Sequence, residues 1–150
     1  MRYGARRART LAMMAALIAV WLCASSAQSR MSDQDVGRLM KNLKQDAKEF
    51  RDSFKSSIGK STVRKTSAEK DAKALVEAFQ KQTETMLKHF QDEKKADTEL
   101  RTVLASADQI DSLLQRVSLD ARTGADWGKV KAELDLIAKQ FGMAPTGERR

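Results

Sequence analysis

Beyond residue 30, apolar side chains recur at alternating intervals of three and four residues. The first stretch carries Val36, Met40, Leu43, Ala47, Phe50 and Phe54, and the second Ala72, Val76, Phe79, Thr83, Met86 and Phe90. A third carries Leu100, Val103, Ala107, Ile110, Leu114 and Val117, and a fourth Trp127, Val130, Leu134, Ile137 and Phe141. A mean spacing of about 3.5 residues places each set on one narrow stripe of a helix. A single stripe cannot bury itself, so the four predicted helices must pack on one another.

The punctuation between the stripes agrees with that division. Ser32 with Asp35, and Thr66 with Glu69, stand at capping-box spacing ahead of the first two stripes. Gly59 interrupts the polar, basic stretch 58–65 between them. Asp126, after Thr123 and Gly124, is placed to cap the fourth helix, and Gly142 and Pro145 end it. The stretch 94–98 holds no Gly or Pro, so a continuous second and third helix has to be weighed. Phe90 and Leu100 are ten residues apart, however, which turns the stripe by roughly 80°. Asp97 also suits an N-cap. The expected fold is therefore all-α, an up-down four-helix bundle, with a three-helix bundle in which the second and third helices merge as the alternative.

Ahead of the bundle the pattern changes. Arg2, Arg6, Arg7 and Arg9 open the chain without an acid, 11–22 form an unbroken apolar run, and Ser25 and Ala27 offer small residues before a cleavage site. Basic, apolar and small-residue regions in that order are a secretory signal peptide. The apolar run of about 12 residues falls short of the ~20 that span a bilayer as a helix. Cys23 follows the bulky Trp21 and Leu22, which rules against a lipid-attachment site. Arg9 stands where a twin-arginine signal needs a hydrophobic residue. The chain thus divides into a signal peptide over 1–27, a linker over 28–31, a helical bundle over 32–142 and a disordered tail over 143–150. Cleavage after Ala27 removes the one cysteine, which excludes disulfides, thiolate catalysis, cysteine-ligated zinc and thioether-attached haem from the mature chain. A periplasmic or secreted protein is expected, with no transmembrane span after cleavage.

Composition matters chiefly through charge. Charged residues make up 32% of the chain and aromatics 5%, as in long solvated helices. The formal charge of +8 includes the four signal arginines, and their loss halves it. The remaining excess is mild and points to no specific nucleic-acid partner.

Candidate chemistry is sparse. Gly59-Lys60-Ser61-Thr62 ends like a phosphate-binding loop, but Phe54 replaces the first glycine and a helix precedes it where a strand is needed. Lys41, Lys44, Lys48, Arg51 and Lys55 form a basic stripe beside the first apolar seam. Pairing across an antiparallel hairpin predicts Lys48 with Glu77 and Lys41 with Glu84. Arg51, Lys55, Lys60, Arg64 and Lys65 are left as a candidate basic patch for anionic polymers or lipid headgroups. His89 is the single histidine, which makes neither a zinc site nor a triad. With Met40 it would be a haem-ligand pair of the kind found in cytochrome b562-type bundles, but it falls beside the apolar stripe and not on it. No metal and no cofactor is expected, and aromatics at stripe positions are expected in the core.

The stretch from Trp127 through Val130, Glu133, Leu134, Ile137 and Ala138 to Phe141 resembles a pattern in a family of small exported helical-bundle proteins of environmental bacteria. The stretches 46–54 and 109–114 fit it loosely. The resemblance rests on packing residues, so it implies a bundle and implies no activity, cofactor or site.

Catalysis outside the cytoplasm ordinarily needs a metal, a histidine-based triad or paired acids in a cleft. The reading is therefore a non-enzymatic interaction or structural module of the cell envelope, monomeric or homodimeric, with a protein partner. A ligand or haem carrier, and an anionic-surface binder acting through the first helix and its following loop, are the alternatives.

Overall fold

A computed structural model of the chain describes residues 30–147. The signal peptide expected over 1–27 and the last three residues of the tail lie outside the described residues. Four helices fill the remainder: α1 (Asp33–Ile58), α2 (Ser67–Glu93), α3 (Asp97–Leu114) and α4 (Ala121–Gln140). No strand occurs among the described residues, and no helix there is long and apolar enough to cross a membrane. The second and third helices are separate, so the merged three-helix alternative falls.

The apolar stripes become the core of this helical bundle. Met40, Leu43, Ala47, Phe50, Phe54, Val76, Phe79, Met86, Leu100, Val103, Ala107, Ile110, Val130, Leu134 and Ile137 are fully enclosed. Leu114 and Phe141, the end positions of their stripes, are half-buried. At the centre the Trp127 ring lies 4.8 Å from Phe50 and 5.5 Å from Phe79, so one indole ties α4 to both α1 and α2. Such offset and edge contacts add to plain area burial.

Neighbouring helices run antiparallel. Lys44 meets Glu84 and Lys55 meets Glu77 across α1 and α2, while Met31 N donates to Gln140 Oε1 and Phe50 packs on Trp127 across α1 and α4. α1 packs along both α2 and α4, and α2 packs along α3. α3 and α4 approach each other closely at few points.

The helix ends follow local chemistry. Ser32 and Thr66 accept from the backbone N–H groups of Asp35 and Glu69, as their spacing predicts. Two expected caps are corrected. α4 is capped six residues before Asp126, with Asp120 accepting from Thr123 N and Thr123 Oγ1. Asp120 N in turn donates to Ser57 Oγ at the end of α1, which holds this start in place. α3 is preceded by Ala96, which has no capping side chain, and Asp97 is its first helical residue. The break before it is made by Lys94, whose φ of 55° is left-handed. α4 closes as sequence predicts: Gly142 has φ 66°, Gly142 N donates to Lys139 O, and Met143 N donates to Ala138 O. That pair of bonds is a Schellman motif.

After Gly142 the chain turns back along the bundle. Thr146 N and Oγ1 donate to Asp135 Oδ1 on α4, and Gly147 N donates to Asp108 Oδ1 on α3. Residues 146–147 thus bridge the two helices that touch each other least.

Candidate functional site

An open groove of about 660 Å³ lies between the first half of α2 and the second half of α3. It exists because the facing elements are unequal. α3 has 18 residues against 27 in α2, and α2 presents the small side chains Ala68 and Ala72 where a larger residue would close the gap. Leu75, Leu113 and Val63 form apolar walls, with Val63 contributed by the loop between α1 and α2. Asp71, Asp108 and Arg116 stand on the rim. An apolar floor with a polar rim suits an amphipathic segment laid along it. The sequence shows its apolar walls only as half-buried flank positions, and nothing in their spacing marks a groove.

The basic residues singled out from sequence are not gathered into one free surface. Arg51 donates to Asp52 and to Gln80 Oε1, and Lys55 pairs with Glu77. These bonds replace the predicted pairs. Lys44 takes Glu84, about one helical turn from the expected Lys41, and Lys55 takes Glu77, about two turns from the expected Lys48. Lys60, Arg64 and Lys65 lie exposed on the loop after α1. Lys60 acts on Asp120 and Arg64 on Glu69, and the backbone N–H of Lys65 donates to Glu69 Oε2. The Lys73 ammonium and the Lys65 N–H hold the Glu69 carboxyl below its ordinary range, and Lys55 does the same for Glu77. Hydrogen bonds from Thr123 lower Asp120.

Met40 and His89 are not brought together. Met40 is enclosed in the core, whereas the half-exposed His89 faces outward with Nδ1 2.6 Å from Glu99 Oε1 on α3. The glycine-lysine-serine-threonine stretch 59–62 forms the turn closing α1, with Lys60 N donating to Ser57 O and Ser61 N to Ile58 O. No cluster of three metal-ligating side chains occurs among the described residues.

One pair of acids escaped the sequence reading altogether. The charge of Asp46 on α1 acts on Glu133 of α4, and the Asn42 side chain, one turn earlier on α1, hydrogen-bonds the Glu133 carboxyl. Burial, and then the Asp46 charge, push Glu133 up to about 7. Burial and the neighbouring Glu49 likewise raise Asp46. Each residue sits beside an apolar stripe, where single-helix periodicity reads a solvated charge.

Comparison with family profiles, with curated proteins and with solved structures finds no match to this chain.

Proposed function

We propose that the protein is exported and acts outside the cytoplasm as a non-enzymatic interaction module, binding an apolar segment of a protein partner in the α2–α3 groove. The groove is the observation that carries the reading: an open apolar trough of about 660 Å³ beside a core already filled by its own side chains. A filled core argues against an internally bound carrier ligand, because a bundle that holds a cofactor needs room between its facing helices. The pairing of Arg51 with Asp52 and of Lys55 with Glu77 weighs against anionic-surface binding as the main activity. The basic and apolar order of residues 1–27 supports export.

A photo-crosslinking residue placed at Leu113 tests this in the producing cell. The reading predicts a discrete protein adduct from Leu113 that is absent from the same residue at Leu136, an exposed position on α4. Equal adducts from both positions, or none from Leu113, would remove the groove from the account.

A further inference from the structure

Pairing uses up only part of the basic stripe on α1. Lys44 and Lys55 reach Glu84 and Glu77 on α2, and Arg51 donates to Gln80 Oε1, so the stripe lies on the flank of α1 that faces α2. Lys41 and Lys48 stand about one turn to either side of Lys44 on that flank, and Lys88 stands one turn beyond Glu84 on the antiparallel α2. Lys41 and Lys88 are therefore level with each other across the seam. Lys41, Lys48 and Lys88 are exposed, and none of them forms an ion pair with a described residue.

The acids within the row, Glu77, Glu84 and Asp52, are each already met by a base of α1. The Lys44–Glu84 contact is long, at 3.8 Å, and both side chains are nearly half exposed. Such a solvated pair contributes little, so Lys44 can exchange Glu84 for another anion readily. From Lys41 to Lys55 the row runs roughly 20 Å along the helix axis.

What this face lacks narrows its partner. Among the described residues every aromatic ring lies in the core or packs against it, and the exposed Leu136 is on α4. A surface with no ring to stack a base and no apolar side chain to enter a bilayer recognises charge alone. Lysine ammonium groups are compact point charges on flexible stems, which suit phosphate oxygens without demanding a fixed orientation.

We propose that the α1–α2 face binds a linear polymer of phosphate groups, laid along α1 and held by Lys41, Lys44, Lys48 and Lys88. A polymer that meets several lysines loses its freedom of movement once, whereas separate phosphate ions each lose it for a single contact. This surface is distinct from the groove, which opens between α2 and α3.

Anisotropy titration of labelled long-chain inorganic polyphosphate with the product of the full-length gene, repeated over a range of salt, tests the assignment. Replacing the three unpaired lysines together, as Lys41→Gln, Lys48→Gln and Lys88→Gln, should weaken binding at least about tenfold at about 0.1 M salt and flatten the logarithmic salt slope by about 2. The triple variant Arg101→Gln, Arg122→Gln and Lys139→Gln removes the same charge from exposed positions on α3 and α4, and should leave affinity and slope nearly unchanged. Equal weakening by the two triple variants would reduce the effect to net charge and overturn the assignment of this face. Binding of inorganic phosphate, or of phosphatidylglycerol vesicles, as tightly as the polymer at equal phosphate concentration would overturn the linear polymer as its partner.

Discussion

The indole Nε1 of Trp127 on α4 donates to Asp111 Oδ1 on α3 at 2.7 Å. The same oxygen accepts from Lys131 Nζ at 3.1 Å, so one carboxylate joins two side chains of α4 to a helix that α4 otherwise barely touches. Trp127 therefore has two separable roles, an apolar one against Phe50 and Phe79 and a polar one toward α3.

Trp127→Phe tests the polar role, because a ring remains and the donor is lost. It should cost about 1–2 kcal/mol in urea unfolding, whereas Trp127→Ala, which also empties the aromatic centre, should cost about 3–5 kcal/mol. A Trp127→Phe stability equal to wild type would mean that the Asp111 bond contributes nothing.

Stability should peak in mild acid. Glu69, Glu77 and Asp120 are all held below their ordinary values of 4.5, 4.5 and 3.8, so their contributions are present above those values and disappear as pH falls through the lowered ones. Glu133 works in the opposite sense and weakens the fold as pH rises from 4.5 to about 7. A thermal-midpoint profile from pH 2 to 8 should therefore rise, crest near pH 5 and decline. A plateau from pH 5 to 8 would contradict the decline.

Lys94 ends α2 in the left-handed region, where a β-carbon is disfavoured. Its ammonium stands 5.7 Å from the Phe90 ring, a weak exposed attraction. Lys94→Gly should therefore stabilise the protein by about 0.5 kcal/mol, after the greater freedom of glycine in the unfolded chain is subtracted. Chemical denaturation with an unchanged m-value is the check.

Filling the groove should separate folding from binding. Ala68 lines it and is exposed, so Ala68→Leu adds apolar contact without crowding the core. Stability should hold or rise by about 0.5 kcal/mol, while the adduct formed from Leu113 is lost. Retention of that adduct with the groove filled would place the partner elsewhere.

The stripes were legible because burial along one helix is a property of that helix alone. Phe50, Phe79, Ile110 and Leu134 can be assigned to the core without knowing their neighbours. Register between helices is different. A shift by whole turns keeps every stripe buried, so sequence could not distinguish Lys55–Glu77 from Lys48–Glu77, two turns away. The start of α4 was misplaced because Asp120 and Asp126 both carry a capping carboxylate. What favours Asp120 is the bond between its N–H and Ser57 Oγ, 63 residues earlier in the chain. Residues 146–147 are anchored by backbone N–H groups on Asp135 and Asp108, which leave no side-chain period to read. The groove and the Asp46–Glu133 pair share that cause, since both are made by two helices at once.

Native mass spectrometry of the full-length gene product, expressed with its own leader and purified from the cell envelope, tests the central claim most directly. The account predicts a chain beginning at Gln28 with no small molecule retained, and a protein partner as any added mass. A reproducible small-molecule adduct, haem above all, or a chain that keeps residues 1–27 in the cytoplasm, would contradict it.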